Sequence, residues 1–143
     1  MKYQLTKNDV LTIEEFVTRS TTDHRSYGRL YDKISQDIRV GKAGEIAYKN
    51  FHRSDISEID WSGRVQTNGI DFTHQDGRGI QVKTIRADSK WCSFSDWQWD
   101  TLAVIREIGD RFHLIGEFDK AHLEKRAKPS NWHGWYFDPE KNI

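Results

Sequence analysis

The stretch that decides the fold is GIDFTHQDGRGIQVKTIR, residues 69–86. Apolar and polar residues alternate on both sides of Asp76-Gly77, and such alternation is typical of a strand with one buried face. An Asp-Gly pair between two alternating runs favours a tight turn. The pattern therefore predicts a β-hairpin with strands at residues 69–74 and 79–86.

A second hairpin is predicted downstream, where the sequence again has the period of a strand. Residues 101–108 and 111–118 are joined by Gly109-Asp110. The uninterrupted apolar run at 102–105 indicates a strand that is buried on both faces. Helical spacing of apolar residues predicts helices on either side of the two hairpins, at residues 6–19, 23–37, 41–53 and 119–127.

The order of these elements predicts an α/β or α+β domain, with one mixed sheet and helices packed around it. A chain of 143 residues is the usual length of a single domain. We expect a helical extension at 1–37, a core at 39–118 and a C-terminal helix and tail at 119–143. The aromatic tail residues, Trp132 to Phe137, are expected to fold back on the body.

Composition limits the classes of protein to which the chain can belong. The single cysteine, Cys92, excludes an internal disulfide and a cysteine zinc cluster, and we expect it to be a small buried residue. The sequence has no apolar run of the ~18 residues that a membrane span needs, and no apolar signal core. We therefore expect no membrane partner and a cytoplasmic location, as in a prokaryotic or phage intracellular protein.

Four chemistry-bearing residues are expected to converge beside the first hairpin. Gln81 and Lys83 are two residues apart, so their side chains point to the same face of the strand. The turn folds Asp71 back beside them. Glu45 lies on the predicted helix at 41–53, whose small residues would let it approach the sheet closely. Such oxygen ligands suit Mg²⁺, and a lysine beside a metal can orient water and offset the charge of a phosphodiester.

These residues resemble the PD-(D/E)XK nuclease superfamily, the restriction-endonuclease-like fold. The resemblance rests on Glu45 in GKAGEIAYKNF, Asp71 in NGIDF and Lys83 in GIQVKT. It implies that Asp71, Gln81 and the carbonyl of Val82 bind the metal. It further implies that Glu45 supports the metal directly or through water, and that Lys83 handles the nucleophile. A central mixed sheet flanked by helices is implied as well.

The resemblance covers residues 39–118 and has two departures. Ile70 stands where the name of the motif has proline, and Gln81 stands where the family usually has Asp or Glu. An amide can still ligate a metal through its oxygen, but the site loses one negative charge. Metal affinity should then be weaker, and Glu45 can compensate for the loss.

The first hypothesis is an Mg²⁺-dependent endonuclease, with Mn²⁺ as a substitute, that hydrolyses DNA phosphodiester bonds. Similar enzymes include restriction enzymes, homing endonucleases and junction resolvases. We expect an endonuclease that cuts double-stranded DNA at a specific site or structure. A chain this small needs a second copy to cut both strands, so we expect a homo-oligomer. The net charge is zero, so DNA contacts must come from local basic groups: Arg19, Arg25, Arg29, Arg39, Lys42, Arg78, Arg86 and Lys90.

Two other classes of protein stay open. A nuclease-like module that is catalytically weak or inactive would bind nucleic acid or a protein without cutting, and Gln81 favours this reading. A structural or interaction protein, such as an assembly factor or a nuclease inhibitor, is favoured by the zero net charge and the Trp-rich tail. Asp71 and Lys83 could instead be surface strand residues that form a cross-strand salt bridge.

Overall fold

The structure is a computed structural model that describes residues 1–20, 29–62 and 69–141. Its helices are α1 (Lys7–Ser20), α2 (Arg29–His52) and α3 (Lys120–Arg126), and a 3₁₀ turn follows α2 at Arg53–Asp55. Its strands are β1 (Lys2–Gln4), β2 (Phe72–Thr73), β3 (Gly79–Arg86), β4 (Cys92–Phe94), β5 (Thr101–Ile108), β6 (Arg111–Asp119), β7 (Lys128–Pro129) and β8 (Trp135–Phe137).

The strands form one five-stranded sheet and one small sheet. The large sheet has the order β1-β6-β5-β3-β2, with β3 and β5 parallel and the other pairs antiparallel. The small sheet has the order β4-β8-β7. The predicted α+β class with a mixed sheet is therefore confirmed. Residues 101–105 of β5 are all buried, as the apolar run indicates.

Both predicted hairpins form, but the first strand of the first one is shorter than predicted. β2 contains only Phe72 and Thr73, which pair with Ile80 and Gly79. Gly69, which precedes β2, has a φ of 64° and lies against Asp96, so that a Cβ there would come within 2.7 Å of a carboxylate oxygen. The strand begins three residues later, and Asp71 lies immediately before it.

One helix replaces two of the predicted ones. The prediction of separate helices at 23–37 and 41–53 is wrong over the described residues, because α2 runs unbroken from Arg29 to His52. Residues 23–28 of the first predicted helix lie outside the described part. The apolar spacing of Val40, Ala43 and Ala47 continues across Gly41 and Gly44, and all three are buried. Packing of this stripe on the sheet outweighs the low helix propensity of the two glycines.

Two apolar clusters cover the two faces of the large sheet. The first joins α1 and α2 to β3, β5 and β6, with Ile13, Ala47 and Ile105 among its members. The second joins the opposite face to α3 and the small sheet, with Cys92 and Trp99 fully buried. Burial raises the pKa of the Cys92 thiol to about 12, as expected of a structural rather than a nucleophilic cysteine.

Short elements at both ends of the chain escaped the prediction. β1 is an edge strand that pairs with β6, and the three strands of the small sheet have two or three residues each. The expected return of the tail is confirmed for residues 135–137, which pair with β4, whereas Trp132 is 53% exposed. Within the described residues, no helix has the length and apolar character that crossing a membrane requires.

Gly44 of α2 lies in close contact with β3. A Cβ at this position would lie 1.8 Å from the Oγ1 atom of Thr84 on β3. Real Cβ atoms do not come so near another atom, so α2 and β3 touch with only a hydrogen between them. The small residues of α2 therefore set the spacing between helix and sheet, as the sequence indicates.

Gly44→Ala is expected to destabilise the protein by about 1–3 kcal/mol, because the helix must move away from β3. Gly41→Ala is the matched control: it lies one helical turn away, and no described atom lies within 4 Å of its added Cβ. The control should be neutral or more stable by up to about 1 kcal/mol, since alanine favours a helix. Urea unfolding measures both, and equal effects of the two substitutions would contradict the close contact.

Candidate active site

Asp71 lies at the edge of β3, immediately before β2 begins. Its backbone N–H donates to the carbonyl of Ile80 at 2.8 Å, which continues the ladder by one residue. Its Oδ2 atom then accepts from the N–H of Val82, also at 2.8 Å. The Asp71 carboxylate thus accepts the hydrogen bond that the backbone of a longer β2 would otherwise accept. The N–H and C=O of one strand residue point to the same side, so the Val82 carbonyl faces the same edge as the Asp71 carboxylate.

Glu45 reaches this edge from α2. It follows Gly44, the residue at which the helix touches β3, and its side chain is only 13% exposed. Burial, and then the nearby charge of Asp71, raise the pKa of Glu45 to about 7. The pKa of Asp71 is also raised by burial, although the Val82 N–H and the charges of Lys83 and Lys42 oppose the shift. The charge of Asp71 therefore reaches Glu45, the other predicted metal-binding carboxylate, and disfavours its ionisation.

Lys42 holds Glu45 in position, a role that the sequence analysis missed. Its ammonium donates to Glu45 at 3.3 Å and to the carbonyl of Asp60 at 2.7 Å. It also lies 4.8 Å from the ring centre of Phe16 and 5.4 Å from that of Trp61. A cation held over two aromatic faces is fixed by more than its salt bridge. The Lys-x-x-Glu spacing on one helix was the available sign of this pair.

Gln81 and Lys83 complete the predicted constellation from β3. Gln81 is only 9% exposed, and within the described part of the chain its buried Oε1 atom has no hydrogen-bond partner. A buried amide oxygen without a partner costs free energy unless a ligand or water satisfies it. Lys83 is half-buried, and its charge reaches Asp71. Electrostatic interactions therefore link Asp71 to both Glu45 and Lys83, and Gln81 precedes the strand residue whose N–H fixes Asp71.

The donor set fits a hard divalent cation. Two carboxylates, an unpartnered amide oxygen and a strand carbonyl are oxygen ligands of the kind that Mg²⁺ and Mn²⁺ accept. Among residues 1–20, 29–62 and 69–141, no group of three or more His, Cys, Asp or Glu side chains is arranged to hold a metal. A cation at this edge would therefore depend on Gln81 and Val82 as well as on Glu45 and Asp71.

Two of the predicted DNA-contact arginines have acidic partners. Arg39 pairs with Glu14 of α1 at 2.6 Å, and Arg78 pairs with Asp76 in the hairpin turn at 2.8 Å. Arg78 also precedes β3, so it lies at the opposite end of that strand from Arg86. DNA contact stays a prediction for these residues.

Other predicted contacts lie nearer the site. Arg86 is exposed and lines a groove that Lys83 shares, and Lys90 is exposed in the loop that follows. Arg19 donates to the carbonyl of Trp61 at 2.9 Å. The predictions for Arg25 and Arg29 concern side chains outside the described part.

Comparison with known proteins adds no identification. No protein-family model matches the chain, and no curated protein is similar enough to count as a match.

Glu45 is expected to destabilise the metal-free protein as the pH rises. Its pKa of about 7 in the folded state lies above the ordinary 4.5, so the folded state holds the proton more tightly. The protonated Glu45 therefore contributes to the free energy of unfolding. This contribution is complete below about pH 4.5 and is lost as the pH rises through about 7. At pH 8 without divalent ions, Glu45→Gln should therefore be more stable than wild type by roughly 1–3 kcal/mol.

Glu14→Gln is the control for this experiment, and it should have the opposite effect on stability. Arg39 lowers the pKa of Glu14, so that carboxylate stabilises the folded protein at neutral pH and its loss should weaken it. Chemical unfolding at pH 5 and pH 8 measures both variants. A Glu45→Gln protein that is less stable than wild type at pH 8 would contradict a Glu45 carboxylate whose ionisation is opposed by burial and by Asp71.

Proposed function

We propose that this protein is a metal-dependent nuclease that hydrolyses DNA phosphodiester bonds. The observation that carries the proposal is the pair of largely buried carboxylates, Glu45 and Asp71, with Lys42 paired to Glu45 and the charges of Lys42 and Lys83 acting on Asp71. Carboxylates with perturbed pKa values and nearby cations are typical of catalytic sites. This combination can hold a divalent cation and a phosphate together.

The ligands would be the side chains of Asp71, Gln81 and Glu45 and the carbonyl of Val82. Bound Mg²⁺ or Mn²⁺ supplies an activated water and positive charge for a phosphodiester. The chain contributes the fixed positions of these ligands. The Val82 N–H orients the Asp71 carboxylate, and Lys42 orients that of Glu45.

Lys83 is the residue that we assign to the substrate. Its ammonium lies on β3 beside Asp71, so it can donate hydrogen bonds to a phosphate oxygen and to the attacking water. Charge that develops on the phosphate during hydrolysis is then opposed by a fixed cation in a partly buried site. Lys42 already donates to Glu45 and to Asp60, so its role is to position the carboxylate.

The same features support membership of the PD-(D/E)XK superfamily. β3 carries Gln81, Val82 and Lys83, Asp71 adjoins it on the neighbouring segment, and α2 supplies Glu45. The parallel pairing of β3 with β5 agrees with the mixed sheet that the resemblance implies. We also infer a homo-oligomer, because cutting both strands of a duplex needs two such sites.

A second candidate function is a nucleic-acid-binding module of the same fold that does not cut. Gln81 favours it, because an amide in place of a carboxylate removes one negative charge from the ligand set. The burial of the two remaining carboxylates also opposes their ionisation. Weak cation binding would leave a phosphate-binding site without hydrolysis.

Cleavage of duplex, single-stranded and branched DNA in Mg²⁺ or Mn²⁺ tests the nuclease proposal. Lys83→Ala should reduce the cleavage rate at least about 100-fold, since it removes the group that acts on water and phosphate. Lys125→Ala is the matched control, because it removes an exposed lysine from α3. Its rate should equal that of wild type.

Two outcomes contradict the nuclease proposal. If wild type binds these DNAs but cuts none of them in either metal, the binding module is the better description. If Lys83→Ala cuts as fast as wild type, the activity arises elsewhere in the chain or in a contaminant.

Gln81→Glu should lower the Mg²⁺ concentration needed for half-maximal cleavage, because it restores a negative charge to the ligand set. Without metal, the third buried carboxylate should lower the melting temperature. Gln98→Glu, at an exposed loop position, is the control and should change neither quantity. An unchanged Mg²⁺ requirement in folded Gln81→Glu would remove Gln81 from the proposed ligands.

A further inference from the structure

A groove of about 590 Å³ opens beside the candidate active site. Its floor is the part of β3 from Val82 to Arg86, its first wall is α2 at residues 37–41, and its second wall is the segment 89–93. Lys83 belongs both to the groove and to the site. Anything held in the groove therefore lies next to the residue that we assign to the phosphate.

An exposed indole stands in the second wall. Trp91 is 46% exposed, whereas Trp99 is fully buried in the second apolar cluster. The ring of Tyr136 packs edge-on against Trp91, with centroids 5.1 Å apart and an interplanar angle of 90°. The ammonium of Lys90 lies 5.0 Å from the Trp91 centroid. The indole thus has a fixed position, a cation beside it and an accessible surface.

A single arginine fixes the loop that carries Trp91. The Nη1 atom of Arg106 donates to the carbonyls of Arg86, Ala87 and Ser89 at 3.1, 3.0 and 2.7 Å. Its Nη2 atom donates to Glu140 at 2.8 Å, and its side chain is 13% exposed. The loop is therefore held by a largely buried guanidinium. An aromatic ring presented on a fixed loop can stack on a ligand without a further ordering cost.

The charge around the groove suits an anionic ligand. Lys83 and Arg86 line it, and Lys90 adjoins it. Asp37 is the acidic residue among the described lining residues, and Asp88 lies exposed in the loop. Cations beside a stacking surface are the two components of a site for single-stranded nucleic acid.

Building on the proposed function, we propose that this groove holds an unpaired nucleotide next to the scissile phosphate, with its base stacked on Trp91. In a duplex the faces of each base are covered by neighbouring bases, so a side chain stacks only on a base that has left the helix. The substrate class that follows is single-stranded, flapped or otherwise locally unpaired nucleic acid.

A peptide strand added to β3 is the competing occupant, because the groove floor is a strand with few partners on the β2 side. Backbone pairing alone gives no role to the exposed indole or to the cations around it. Nucleic acid accounts for both, and it also explains why the groove adjoins a site suited to phosphate.

Equilibrium binding tests the proposal without cleavage. Anisotropy of a labelled oligo-dT and of a blunt duplex of equal length, in Ca²⁺ and in EDTA, would be compared for wild type and Trp91→Ala. Loss of one base stack should weaken oligo-dT binding at least about fivefold. Duplex binding should change much less. Trp91→Phe should retain most of the affinity, and Trp132→Ala, which removes another exposed tryptophan, should bind like wild type.

Equal oligo-dT binding by wild type and Trp91→Ala would overturn the proposal, as would an equal loss for oligo-dT and duplex. A second measurement keeps the test independent of the folding of Trp91→Ala. Ultraviolet crosslinking of a 5-iododeoxyuridine oligonucleotide to wild type should label the peptide that contains Trp91. Labelling only elsewhere would contradict the stacking site.

The failure of this inference is distinguishable from the failure of the proposed function. If wild type cuts nothing but binds oligo-dT through Trp91, the nuclease proposal fails and the groove assignment stands. If Lys83→Ala abolishes cleavage while Trp91→Ala changes no binding, the nuclease proposal stands and the groove assignment fails.

Discussion

The contact between α2 and β3 at Gly44 and Thr84 is the constraint on which the rest of the site depends. No side chain fits between the helix and the strand at this point. Because Glu45 is the next residue, the contact places a helix carboxylate beside the one that Asp71 holds at the edge of β3. The apolar residues of α2 that pack on the same face keep the helix there. Packing of small residues thus positions the charged ones.

This arrangement costs electrostatic free energy. Burial opposes the ionisation of both Glu45 and Asp71, and the charge of Asp71 further opposes that of Glu45. Lys42 partly offsets these effects at both carboxylates, and Lys83 does so at Asp71. Gln81 adds a buried amide oxygen without a partner in the described part of the chain. Unfavourable groups gathered at one place, in a fold that is otherwise well packed, are typical of a site that a ligand completes. Such groups explain why a cation and a phosphate are the ligands that we infer.

Much of this organisation could be predicted from the sequence, for identifiable reasons. Asp76-Gly77 and the alternation around it predicted the first hairpin, and the run at 102–105 predicted the central strand. The continuity of α2 could not be read from the sequence, because glycine has a low helix propensity and tertiary packing carries the helix through Gly41 and Gly44. The pairs Lys42–Asp60 and Arg106–Ser89 join segments distant in sequence, so no local pattern reveals them. Strands of two or three residues give too little periodicity to detect.

Binding of Mn²⁺ in the absence of nucleic acid tests the central claim most directly. Isothermal titration of wild type and of Asp71→Asn at pH 8 would measure it, with melting temperatures to establish that both are folded. Wild type should bind the ion, and the neutral amide at position 71 should weaken binding at least about tenfold. Wild type that binds no Mn²⁺, or a folded Asp71→Asn variant that binds it equally well, would contradict a metal site at the edge of β3.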